Sequence, residues 1–210
     1  MGRFVSAMLV LLSVLACQSD THPAFSASPS PSPHTRPTAA ILQSADVPAT
    51  LNACVGSGPM DVYLSVLATA DATLASRATD QWTDMQTRGA TAGAISIFAA
   101  NPSACKAELG ATTNVKAISS FVAQFADEGQ ADRAWQSGIF GFAPPPPGEL
   151  VPGLTRGTST GLGISSFTYD RPSVRLACWH RSVFVALVVV SNLDLTTFKA
   201  ATAAIDPRLN

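Results

Sequence analysis

Charge is scarce in this chain. Of 210 residues, 13 are Lys or Arg and 14 are Asp or Glu, so 13% are charged, against roughly 25% in ordinary globular proteins. The two signs nearly cancel, leaving a formal net charge of −1. A protein that grips nucleic acid needs a basic excess against phosphate, and this chain has none. Histidine is equally sparse: of three in all, His22 and His34 lie near the N-terminus and His180 stands alone after residue 40. A multi-histidine metal site is thereby excluded from the rest of the chain. No Gly-x-Ser-x-Gly elbow and no His-Glu-x-x-His helix is present. The glycine-rich run Gly157–Gly163 lacks the lysine of a phosphate-binding loop. No apolar run reaches the roughly 20 residues that span a bilayer.

What the chain does have is apolar mass. Hydrophobic residues make up 47%, which excludes a wholly disordered chain and is enough for one core. The low charge is a property of the body of the chain. Residues 1–40 hold only Arg3, Arg36 and Asp20, and residues 41–210 carry 11 basic and 13 acidic side chains. A neutral ligand or a protein surface therefore suits this chain better than a highly charged partner.

The first forty residues address it. After Met1-Gly2-Arg3, residues 4–16 are uncharged and almost wholly apolar. Thirteen helical residues rise only about 20 Å, which fits a signal peptide and not a membrane span. The run ends Val14-Leu15-Ala16-Cys17. This resembles the lipobox of bacterial lipoproteins, in which apolar residues and a small residue precede an acylated cysteine. The resemblance covers about 17 residues. It implies cleavage after Ala16, lipidation of Cys17, and an extracytoplasmic domain held to a bacterial membrane. Residues 17–40 then read as the lipidated cysteine and a Pro/Ser tether, with Ser28-Pro29-Ser30-Pro31-Ser32-Pro33 at its centre.

Residues 41–210 read as a single domain. A short helical turn is expected at 41–48, stopped by Pro48. Pro59 is expected at the first position of a helix, which continues, broken or doubled, to Gly89 with Met60, Leu64, Leu67, Leu74, Ala78, Trp82 and Met85 on its inner face. Strands are expected at 92–99 and 115–125. Between them Asn101-Pro102 caps a short helix. Asp127 with Gln130 opens another helix. Residues 140–156, with Pro144-Pro145-Pro146-Pro147, are expected to form an ordered but irregular crossover. Strands follow at 162–169, 173–179 and 183–190, the last two as a hairpin turning at His180-Arg181-Ser182. Asp194 caps a final helix ended by Pro207. The expected fold is α+β: a mainly antiparallel sheet of about five strands packed against helices in two layers.

Export makes disulfides possible. With Cys17 lipidated, Cys54, Cys105 and Cys178 remain. Cys54 and Cys105 both sit in loop-like sequence beside a helix start, and their pairing is preferred. Cys178 reads as a buried strand residue. Pairings through Cys178, or three free thiols, remain open at this level. Cys178 and His180 share a strand face, but no residue is evident to orient a Cys/His pair. One further constellation stands out. Arg175, Trp179 and Arg181 share strand parity, and an open Trp between arginines would hold a ligand by stacking and hydrogen bonding. The alternative is an interior Trp with arginines reaching to the edge. The reading is a non-catalytic ligand-binding or sensing module without cofactor or metal. A scaffold for an envelope complex, then a hydrolase, are the alternatives.

Overall fold

The computed structural model describes residues 35–149 and 151–210. The expected signal peptide, Cys17, both N-terminal histidines and most of the tether lie outside these residues. Folded structure begins earlier than the tether boundary at 40. Helix α1 (Pro37–Ala40) carries proline in its first turn and buries Ala40 completely. Its Pro-Thr-Ala-Ala sequence continues the tether's composition, which hides the boundary.

Short strands β1 (Asn52–Ala53) and β2 (Gly58–Pro59) precede α2 (Met60–Ala70) and α3 (Ala72–Thr87). Pro59 is the residue just before α2 and pairs with Ala94 of the sheet, so the helix starts one residue later than expected. Asp71 separates the two helices. Its extended backbone ends α2, and its carboxylate accepts from Thr73 N and Leu74 N at 3.0 and 2.9 Å, which is an N-cap. Leu74, Ala78, Trp82 and Met85 of α3 are buried, at the spacing of one helical face.

Strands β3 (Ala90–Ala99) and β4 (Ala117–Phe125) follow, then α4 (Glu128–Ser137), β5 (Leu154–Arg156), β6 (Ser166–Asp170), β7 (Val174–Arg181), β8 (Phe184–Ser191) and α5 (Leu195–Ile205). The sheet is fully antiparallel, in the order β1-β3-β4-β8-β7-β6-β5, with β2 also on β3. The fold is α+β, helices on an antiparallel sheet. The five expected strands are there, and three short ones extend the sheet to eight.

Strand parity divides the core. Ile95, Ile97, Phe121, Phe125, Leu187 and Cys178 face the layer of α2, α3 and α4. Phe98, Ile118, Val122, Trp179, Val188 and Val190 face the smaller cover made by Ile41, Leu42, Phe198, Ile205 and Leu209. All eight residues of β8 are buried, and each buried Val or Leu side chain contributes about 1.5–3 kcal/mol. Gly93 of β3 allows one close approach. A Cβ there would lie 2.7 Å from the Trp82 ring, so the helix layer seats on the sheet only with glycine at this point.

Candidate functional site

The site begins at the edge of β3. β1 pairs there, Asn52 with Ala99 and Ala53 with Phe98, and Cys54 N donates to Ile97 O at 2.8 Å. Beyond β3, Asn101 Oδ1 accepts from Ser103 N at 2.9 Å and caps a 3-10 turn over Pro102–Lys106. These two local structures bring the cysteines together. Cys54 and Cys105 form a disulfide with Cα atoms 5.5 Å apart, closing a separation of 51 residues. The preferred pairing is thus the one present. Restricting the unfolded chain by a loop of that size is worth about 4 kcal/mol in the chain-entropy account. A disulfide also fits an oxidising, non-cytoplasmic compartment.

A cleft of 410 Å³ opens beside this bridge, within the range of small-molecule sites. Its floor is the disulfide and Ala99, and its walls are Val55, Val66, Ala70 and Pro102. Lys106 also lines it and is the one cation among the lining residues. Helix α2 serves two surfaces here. Met60, Tyr63 and Leu67 point into the core, while Val66 and Ala70, one turn apart, face the cleft. Val55 is 85% exposed and Val62, one turn before Val66, is 44% exposed. Behind the wall, burial and the negative charge of Glu108 push the Tyr63 phenol up to about 12, so it is neutral at physiological pH. Glu108 itself lies 3.6 Å from the Arg77 guanidinium.

Sequence reading missed this cleft. Its one signal is the Val62/Val66/Ala70 stripe, which the stronger buried stripe of the same helix conceals.

A second cleft, of 520 Å³, runs along the crossover between Gly148 and Arg156 and is broadly open to solvent. It is lined by Glu149, Val151, Pro152 and Leu154 among others.

The Arg175–Trp179–Arg181 constellation is not assembled into an open platform. All three lie in β7 with the expected parity, but Trp179 is 0% exposed in the core beneath α5. Its ring therefore has no free face for stacking. Arg175 Nε lies 2.8 Å from Asp170 Oδ1, and its Nη1 donates to Leu193 O. Arg181 lies 2.8 Å from Asp206. The arginines rim a buried Trp and are held by carboxylates.

His180 is not in the hairpin turn. β7 continues through Arg181, and the turn falls on Ser182, with φ 52°, and Val183. The His180 side chain is only 8% exposed. Its Nε2 lies 2.6 Å from Ser182 O, and a carbonyl only accepts, so Nε2 carries the proton. Nδ1 faces Asp132 at 3.8 Å. That separation is beyond hydrogen-bond reach, so Nε2 is the ring nitrogen that is hydrogen-bonded. Cys178, on the same face, is fully buried, and burial pushes its thiol far up, keeping it protonated. Asp127 spends its carboxylate as a cap, accepting from Gln130 N at 2.8 Å. Among the described residues no group of three His, Cys, Asp or Glu is placed to hold a metal.

No protein-family model matches this chain, and no curated protein or solved structure does either.

Proposed function

We propose that the chain is a non-catalytic binding or sensing module of the bacterial cell envelope, anchored outside the cytoplasm by lipidated Cys17. The lipobox resemblance supports the anchor, and the disulfide agrees with the compartment. The observation that carries the binding role is the apolar cleft beside Cys54–Cys105. Its walls are short aliphatic side chains, and its position is fixed by a covalent bridge. Such a site takes a small, largely neutral apolar molecule, oriented by the single ammonium of Lys106. Neither a cofactor nor nucleic acid belongs to this reading.

The test is mass spectrometry of small molecules carried by the natively anchored protein, compared with an Ala70→Trp variant that fills the cleft. An apolar species present on the parent and absent from the folded variant supports the proposal. A ligand retained by the variant, or none on the parent, overturns it.

A scaffold role is the second reading, favoured by Val55 and Val62, which are exposed along the same rim. Crosslinking at Val55 that traps one envelope protein, with no small molecule in the cleft, selects it.

A further inference from the structure

The crossover from α4 to β5 contains Pro144-Pro145-Pro146-Pro147, which the disulfide-side cleft does not use. Among its described residues no peptide bond is cis. Each proline ring fixes φ near −65°, and a residue followed by proline is driven to an extended ψ. Pro144, Pro145 and Pro146 are each followed by proline. A trans run of this kind is a polyproline II rod, three residues per turn and about 3.1 Å per residue.

The domain holds the rod at three places. Before it, Ile139 and Phe142 exchange two main-chain hydrogen bonds, 3.0 and 2.8 Å. They close around Phe140 and Gly141 with φ 49° and 79°, the pattern of a type I′ turn. Phe140 is locked there, its ring edge-on to Phe121 with centroids 4.8 Å apart. Within the rod, the Arg156 guanidinium donates to Pro145 O. After it, Glu149 N donates to Pro146 O at 3.2 Å, with Gly148 at φ 84°. That is a type II turn with proline at its second position. Pro144 and Pro145 are half-buried, and Pro146 and Pro147 are exposed.

We propose that this rod is a docking ligand for a second protein, which receives it in an aromatic-lined groove. A polyproline II segment makes no internal hydrogen bonds and has little conformational entropy left to lose. Tyr and Trp side chains lining a groove lie flat on exposed proline rings, and here the rings carry the contact, because the Pro145 and Pro146 carbonyls already accept from Arg156 and Glu149 N. Here the scaffold fixes the rod at these three places and leaves Pro146 and Pro147 exposed. The interaction is separate from the disulfide-side cleft, so loss of one leaves the other intact.

The experiment places a photoreactive benzophenone amino acid at Glu149 of the full-length chain and irradiates intact cells. The expected result is an adduct with one protein, mapped to peptides bearing Trp or Tyr. Its yield falls about tenfold in a Pro146→Ala/Pro147→Ala double variant. Thermal unfolding of the double variant checks that the domain is intact. Should it fail to fold, the parent is irradiated with excess synthetic Ala-Pro-Pro-Pro-Pro-Gly peptide, which must suppress the adduct to the same degree. The proposal is overturned by no adduct, by an adduct on lipid or on peptides without aromatic residues, or by one that survives both the substitution and the competitor.

Discussion

Arg208 grips Asp46 with both terminal nitrogens, each 2.8 Å from a carboxylate oxygen, across 162 residues of sequence. The same guanidinium donates to Ile41 O at 3.2 Å. Nearby, Leu42 N donates to the buried Ser120 hydroxyl at 2.8 Å. The segment leading into the domain is thereby fastened both to the last residues of the chain and to the middle of the sheet.

That pairing makes stability depend on acid. The Arg208 hydrogen bonds, opposed by partial burial and aided by Gln43 N, hold the Asp46 carboxyl below its ordinary value of 3.8. A carboxyl depressed in the folded state contributes stability that is complete above its unfolded value and is lost as pH falls below it. Asp46→Asn is expected to lower stability by about 1 kcal/mol at neutral pH. The difference from the parent should shrink as pH drops below 3.8. Urea titrations at a series of pH values measure this, and an unchanged gap at low pH would count against it.

The Cys54–Cys105 bridge should support both the fold and the cleft. Cys54→Ser/Cys105→Ser is expected to lose about 2–5 kcal/mol of stability. Reduction of the parent should do the same and release any cleft ligand. Calorimetry with and without a thiol reductant tests it. Free alkylation of Cys54 in the unreduced protein would contradict the bridge.

Gly93 is expected to refuse a side chain. In Gly93→Ala the new methyl meets the Trp82 ring at 2.7 Å. The ring or helix α3 must shift, at about 1–3 kcal/mol as for other overpacked cores. Denaturant midpoints together with tryptophan fluorescence report the effect. A variant as stable as the parent, with an unmoved emission maximum, would refute the close seating.

Cys17→Ser should release the protein from the membrane fraction and abolish incorporation of labelled palmitate. Continued labelling of that variant would place the anchor elsewhere.

Parity and capping made most of the sheet and helices legible. The strand expected at 115–125 is β4, with Phe121 and Phe125 buried on one face and Ile118 and Val122 on the other. Asp71, absent from the expected caps, divides α2 from α3. Strands β1, β2 and β5 have two or three residues each, too short to show any period. The Arg175–Trp179–Arg181 parity was correct, but parity does not say what covers a face. The cover over Trp179 comes from α5, brought back from the end of the chain. The hairpin turn was misplaced because Ser182 adopts a positive φ without the glycine or asparagine that usually signals one. The disulfide was legible because both cysteines stood beside turn-forming residues. The cleft was not, because it arises between α2 and a loop 30 or more residues away.

The outermost strands of this sheet are also its shortest, β1 and β2 with two residues each beside β3 at one edge and β5 with three at the other. A strand so brief presents too few open amides for another chain to zip onto. Copies of the domain are thus denied the template from which fibrils grow. The very apolar β8 is the central strand, three places in from either edge and shielded from other chains. Such a domain tolerates high local concentration without relying on charge repulsion, which its sparse ionic surface could not provide.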